Sequence, residues 1–186
     1  MFVSLETATL ETERLVLRPP KAADFRHMMA LIGDFDVAKN TSRVPHPYTE
    51  DDAFEFLGIA AIGWATGGDL LFAIVEKASG AYLGGCGVHP AHGWEIGYWL
   101  GKPYWGQGYA TEAAGRLLAY AFNQCAADRL TARWFHDNPA SGRVLAKLGF
   151  QPEAEDVSDC RARGVRVKSH VAALDRAAYM TRKKAA

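Results

Sequence analysis

Cysteine is scarce in this chain. Its three, Cys86, Cys125 and Cys160, stand far apart with no close-spaced pair. A disulfide framework or a zinc site needs even pairing or clustered ligands, so neither is expected, and the reduced thiols fit a cytoplasmic protein. Charge of one sign is also missing: 21 Lys and Arg balance 21 Asp and Glu, for a net charge of zero. That balance removes the electrostatic case for duplex nucleic acid or an anionic membrane as partner. The most apolar window, Phe56 to Ala65, is about half the length that spans a bilayer. The start lacks a basic region followed by a long apolar stretch, so no signal peptide is expected. Repeats, low-complexity tracts and Pro/Ser-rich linkers are absent, so residues 1–186 read as one domain, large enough to bury its own core.

What is present is an alternation of strand and helix signals. Arg14 to Arg18 alternates and stops at Pro19-Pro20, which predicts a strand. Phe25, Met28, Met29 and Ile32 follow at helical spacing. Beyond a proline-rich loop, Thr49 with Asp52 three residues on predicts a capped helix running through Phe54, Leu57, Ala61 and Trp64 to Gly67-Gly68. Strands are predicted over Leu70 to Val75, Tyr82 to Val88 and Trp94 to Leu100, the last two joined by a turn from Pro90 to Gly93. A long helix from about Gly108 buries Ala110, Ala114, Leu117, Leu118, Ala121 and Phe122. Arg129 to Phe135 reads as a strand, Ser141 to Leu148 as a short helix stopped by Gly149, and Val165 to Leu174 as a last strand. The tail Arg182-Lys183-Lys184 is expected to fray. This order implies an α/β (α+β) domain with a mixed, mostly antiparallel central sheet and helices on both faces.

The segment that carries chemistry is a strand, a short loop and a glycine-rich turn opening a helix: Glu95 to Leu100, Gly101 to Trp105, then Gly106-Gln107-Gly108-Tyr109-Ala110. Glycines at 106 and 108 let backbone turn tightly and approach a ligand. The first-turn amides lack internal partners and sit at the positive end of the helix dipole, where a pyrophosphate fits. A bare strand-to-helix connector satisfies the same spacing. A Walker loop would need Gly-Lys-Ser/Thr, which does not occur, and a dinucleotide fingerprint would need a third glycine where Thr111 stands.

The turn resembles motif A of the GNAT N-acetyltransferases in its form Gly-x-Gly-x-Ala followed by Thr111-Glu112-Ala113. Two further blocks, Leu10 to Arg18 and Asn138-Pro139-Ala140-Ser141 continuing to Lys147-Leu148-Gly149-Phe150, are similar to the branch of ribosomal-protein N-terminal (alanine/serine) acetyltransferases. The resemblance implies a GNAT fold whose sheet splays between the fourth and fifth predicted strands to admit the pantetheine arm of acetyl-CoA. Backbone groups around Tyr98, Trp99 and Leu100 would meet the pantetheine, and Trp105, Gly106, Gln107, Gly108, Tyr109, Ala110 and Thr111 would form the pyrophosphate turn. By the same analogy Asn138 hydrogen-bonds the pantetheine and Ser141 lies near the sulfur. No metal is implied. Trp105 stands where many relatives carry Gln or Arg, and Phe150 where many carry a tyrosine acid.

Acetyl transfer to an amine needs a neutral nucleophile, a stabilised oxyanion and a proton for the thiolate. A lysine amine is neutral about once in 2,500 at pH 7 and an α-amine about once in seven, so deprotonation costs roughly 4.6 and 1.2 kcal/mol respectively. Glu95, expected on a half-buried strand face with Gly97 and Trp99, is the candidate base, and its position resembles that of a glutamate base in the histone acetyltransferase branch. Its alternative is a solvent-facing strand residue. Ser141 is the candidate that protonates or orients the thiolate, with a plain helix cap as its alternative. A backbone amide near Trp99 is expected to hold the oxyanion. Arg43, His46 and Tyr48 in the proline-rich loop are the acceptor candidates. His89 and His92 are expected as solvated turn residues, Cys86 as a core filler, and Trp64, Tyr82 and Trp134 as core. The expected activity is transfer from acetyl-CoA to the primary amine of a protein N-terminus or small molecule, by a monomer or homodimer. A non-catalytic acetyl-CoA-binding module is the alternative.

Overall fold

The computed structural model describes residues 9–90 and 93–185, so His92 lies outside the described residues. Eight strands form one sheet: β1 (Leu10–Glu11), β2 (Leu15–Arg18), β3 (Leu70–Glu76), β4 (Tyr82–His89), β5 (Glu95–Leu100), β6 (Arg129–Phe135), β7 (Gln151–Cys160) and β8 (Val165–Asp175), in the spatial order β1-β2-β3-β4-β5-β6-β8-β7. Every neighbouring pair is antiparallel except β5 with β6. The helices are α1 (Phe25–Ile32), α2 (Phe35–Ala38), α3 (Glu50–Thr66), α4 (Tyr109–Asn123), α5 (Pro139–Leu148) and α6 (Arg176–Ala185).

Side chains alternate across each strand, so the sheet feeds two apolar layers. Leu15, Leu17, Phe72, Ile74, Val88, Ile96 and Leu130 pack under α4, whose buried stripe includes Ala114, Leu117, Leu118, Ala121 and Phe122. On the opposite face Ala73, Val75 and Tyr82 meet Met28, Ile32, Val37 and Ala53 from α1, α2 and α3. Thr49 caps α3 with a reciprocal capping box through Asp52. Arg18 and the buried Asp24 make a two-pronged ion pair, at 2.6 and 2.7 Å, that fixes the entry to α1.

The sheet parts in its middle. β5 pairs with β6 only at Glu95↔Thr131 and Ile96↔Ala132, and beyond Ile96 the two strands separate. This is the expected splay.

Several elements differ from expectation. β7 is a ten-residue strand where none was predicted, because its sequence QPEAEDVSDC is almost wholly exposed and carries no apolar alternation. Trp94 stands outside β5 at φ 62°, and α5 opens at Pro139, two residues before Ser141. The tail expected to fray is helical: Arg182 in α6 donates to the Lys147 carbonyl at 2.9 Å.

Candidate functional site

The glycine turn takes the conformation its residues permit. Gly106 and Gly108 have φ of 75° and 84°, a left-handed region that disfavours any side chain with a Cβ. Gly108 is the N-cap of α4, and the first backward helical bond is from the Glu112 amide to the Gly108 carbonyl at 3.1 Å. The preceding amides therefore face outward at the positive end of a fifteen-residue helix, a site for an anion. Trp105 closes one side, its indole donating to the Leu100 carbonyl at 2.8 Å, and the Gln107 side-chain Nε2 donates to the Pro103 carbonyl.

Arg14 is a residue of this turn that sequence reasoning missed. Its guanidinium bonds the Gln107 carbonyl at 3.1 Å, pairs with Glu112 at 2.7 Å and lies over the Tyr109 ring. Thr12 and the Arg14 amide also donate to Glu112. Burial alone would raise the Glu112 carboxyl, but the Thr12 and Arg14 bonds outweigh it and hold it below the usual range.

The splay exposes a specific set of backbone groups. Gly101 donates to the Leu83 carbonyl and Thr131 to the Trp94 carbonyl, which sets the alternation along β5. Backbone groups of Gly97 and Trp99 point to β4, and those of Ile96, Tyr98 and Leu100 point to β6. Past the point of separation, Tyr98 and the Leu100 amide face the gap. Buried backbone polar groups need partners, and an extended, amide-bearing chain entering the gap supplies them.

The floor of the site is built on three glycines, of which Gly85 lies under the Trp99 indole, Gly87 lies under the Leu71 side chain and Gly97 is open. Gly85, Gly87 and Gly97 share one face with His89, Glu95 and Trp99, through the pairs Gly85↔Trp99, Gly87↔Gly97 and His89↔Glu95. A cavity of about 780 Å³ lies over this floor and reaches the glycine turn. Arg43, Glu95, Arg133 and Arg161 also line a second hollow of about 440 Å³ that adds Asp156 and Asp159. Glu95 sits at the junction, 38% exposed, with the Arg133 guanidinium 3.7 Å away. Its neighbours are a cation and solvent, on the half-buried face that sequence alternation predicts.

On the far side of the gap, Asn138 and not Ser141 is the N-cap of α5: its carbonyl oxygen accepts the Ser141 amide at 3.3 Å. The Ser141 hydroxyl is left to pair with the Tyr98 hydroxyl at 2.9 Å, and Tyr98 also reaches the Ser141 carbonyl at 3.1 Å. Burial pushes the Tyr98 phenol up to about 12, opposed by the Ser141 contact, so it stays protonated at neutral pH. This second hydroxyl was not foreseen, since its signal is only a tyrosine on a buried strand. Phe150 is buried in the core.

The acceptor candidates separate. Tyr48 and Arg43 line the cavity, Tyr48 donating to the Asp52 carbonyl and Arg43 pairing with Asp69 at 3.2 Å. Exposed His46 turns away, edge-on to Phe35. Trp64, Tyr82 and Cys86 are buried as expected, whereas Trp134 is half-buried and lines the cavity against α5. His89 is no solvated turn residue: it ends β4 with its side chain 17% exposed beside Asp69. Among the described residues no cluster of His, Cys, Asp or Glu could hold a metal ion, and no helix is long and apolar enough to cross a membrane.

Comparison with known proteins bears on the family and the fold. Residues 14–151 match the family model described as the acetyltransferase (GNAT) domain. The chain is 30% identical over 151 residues to the uncharacterized N-acetyltransferase p20 of Bacillus licheniformis, covering 78% of this chain and 83% of that protein. Its fold is shared with the ribosomal-protein-S5-alanine acetyltransferase of Vibrio fischeri, at a TM-score of 0.77 and 20% identity over 90% and 96% of the two chains. The microcin C7 self-immunity acetyltransferase MccE, solved with acetyl-CoA and AMP, superposes with a TM-score of 0.75 at 20% identity, over 88% and 93% of the chains.

Proposed function

This chain belongs to the GNAT acetyltransferase family and is an N-acetyltransferase; from that premise we propose that it acetylates the α-amine of a protein or peptide N-terminus. The observation that carries this reading is that the two hollows share Glu95 in their walls. An amine inserted past Glu95 toward the splay leaves the rest of its molecule in an outer hollow lined by Arg43, Arg133 and Arg161 together with Asp156 and Asp159. A closed pocket would suit a small amine. An open, mixed-charge trough suits a chain that continues, and the low cost of deprotonating an α-amine, about 1.2 kcal/mol, matches the solvated carboxylate at the junction.

The residues present fit acetyl-CoA as cosubstrate. Outward amides from Gln107 to Thr111 would hold the pyrophosphate, with Gly106 and Gly108 admitting the close approach and Trp105 covering it. Backbone groups of Tyr98 and Leu100 would pair with the pantetheine amides, helped by Asn138, and Trp99 would wall the thioester from the acceptor side. The Tyr98 amide, which faces the gap one step nearer the point of separation, is the fixed donor for the oxyanion and leaves the Tyr98 carbonyl and the Leu100 amide to the pantetheine. Glu95 accepts the first proton of the incoming ammonium through a water. The Ser141–Tyr98 hydroxyl pair protonates the departing thiolate, the phenol being held protonated for that step.

The test is coenzyme-dependent thiol release with a panel of peptides bearing free N-termini, the same peptides N-terminally blocked, and small primary amines. Turnover with free-terminus peptides at least tenfold above the small amines is expected. Equal turnover on blocked, lysine-containing peptides would refute the α-amine assignment.

A further inference from the structure

His89 and Asp69 form a pair on the acceptor floor that the steps above leave unused. The β3–β4 register, Leu70↔Val88, brings Asp69 opposite His89, and the next register pair sets His89 across from Glu95. Asp69 Oδ2 lies 3.0 Å from His89 Nδ1, a nitrogen fully shielded from solvent. The distance is that of an ion-pair contact, although the ring N–H is not aligned on the oxygen as a hydrogen bond. Burial alone would raise the Asp69 carboxyl; the contacts with His89 and Arg43 outweigh it and hold it below the usual carboxylate range.

A carboxylate beside Nδ1 favours the tautomer with the proton on that nitrogen and leaves the Nε2 lone pair available. Nε2 lies over the glycine floor: a Cβ placed on Gly87 or on Gly97 would come within 3.6 Å of it. Gly97 has no other atom near its hypothetical Cβ and keeps the space beside the ring open, while the Leu71 side chain covers Gly87. The charged groups around it are Asp69 before β3, Arg43 from the loop ahead of α3, Glu95 on β5 with Arg133 of β6 behind it, and Arg161, which lines the same cavity.

Amide formation from an ammonium releases two protons from nitrogen and returns one to sulfur. The first leaves before attack, to make the nucleophile neutral. The second leaves after the N–C bond has formed, when nitrogen carries positive charge beside the oxyanion, and before or as the C–S bond breaks. Glu95 stands at the mouth, where the ammonium arrives. His89 stands deeper on the same face. We propose that His89 is a catalytic residue whose Nε2 accepts this second proton, with Asp69 as the positioning residue that steadies the imidazolium. Glu95 and the imidazolium then return their two protons to solvent, the thiolate takes one from the Ser141–Tyr98 pair, and the pair regains one from solvent, so one net proton is released per turnover. This inference rests on the acetyl-transfer reading.

The experiment compares His89→Gln, His89→Ala, Asp69→Asn and Glu95→Gln, each checked for fold by circular dichroism and for coenzyme A affinity. His89→Asn replaces any His89 variant that does not fold. His89→Gln is expected to lose about 100-fold or more in kcat with coenzyme affinity within twofold. His89→Ala is expected to regain turnover with added imidazole, increasingly so as pH rises through the imidazole range. Asp69→Asn is expected to lose roughly tenfold without such rescue. The Glu95→Gln defect should shrink above the acceptor's own pKa, where the amine arrives neutral, while the His89→Gln defect persists there. Turnover of His89→Gln within threefold of the parent from pH 6 to 9, or folded His89→Ala that imidazole does not rescue, overturns the proposal. Absence of acceptor-dependent thiol release in the unaltered protein would instead sink the acetyl-transfer reading beneath it.

Discussion

Replacing Gly108 by alanine separates the strain of the turn from its role at the coenzyme. Gly108 sits at φ 84°, and an added Cβ would stand 3.4 Å from Arg14 Nη2, close to ordinary contact. The main penalty is therefore conformational: a left-handed alanine costs about 1–2 kcal/mol, offset by roughly 0.4–1 kcal/mol of unfolded-state entropy. The net loss is about 1 kcal/mol, or a Tm lower by about 2–4 °C for a chain of this length. Gly164, at φ 64° with no atom within 4 Å of its hypothetical Cβ, supplies the control at the β7–β8 turn. Gly164→Ala should lose similar stability and bind coenzyme A normally. Gly108→Ala should lose that stability and also weaken coenzyme A about tenfold, equivalent to 1.4 kcal/mol, because a turn relaxing toward negative φ swings the outward amides off the ligand. Calorimetric unfolding and titration of both variants measure the two effects. Equal coenzyme affinity in the two would refute the assignment of the turn as the pyrophosphate site.

Tyr98→Phe and Ser141→Ala should each lower kcat about 10–100-fold, and the double variant no further, because they act through one hydroxyl pair 2.9 Å apart; additive losses in a kinetic cycle would disprove the shared step. Asp24, 6% exposed, is bound to Arg18, and burial opposes ionisation while the Arg18 and Lys21 bonds prevail and lower its carboxyl. A depressed folded-state value stabilises fully above the ordinary carboxylate pKa of about 3.9 and loses that contribution as pH falls through the folded value. Asp24→Asn should therefore cost about 3 kcal/mol at pH 7 and give a shallower acid limb in unfolding followed by circular dichroism; an unchanged acid limb would exclude Asp24 as its source.

The parts legible in the sequence were those whose signal is local. The Gly106–Gly108 turn, the Thr49 cap, the α4 stripe and the alternating strands each carry their cause within a dozen residues. β7 was not legible, because an edge strand with Pro152 near its start is held by the β8 ladder and has no burial pattern of its own. The His89–Asp69 contact joins residues twenty apart, and only the hairpin register from Leu70 to Val88 reveals it. Tyr98 and Ser141 meet across the splay from different elements, a distance that no spacing rule encodes.

Glu112 takes bonds from Thr12 and from the backbone and side chain of Arg14, so the coenzyme turn is pinned by residues about a hundred positions upstream. Order of synthesis gives that clasp a consequence. As the chain leaves the ribosome, the β1–β2 connection with Thr12 and Arg14 emerges long before Glu112 on α4, and at roughly 5–20 residues per second it waits several seconds for it. The nascent chain therefore has no assembled glycine turn until α4 is out. On the proposed reading, the clasp makes coenzyme binding a late event of biogenesis, and it couples the integrity of the β1–β2 connection to the occupancy of a site made much later.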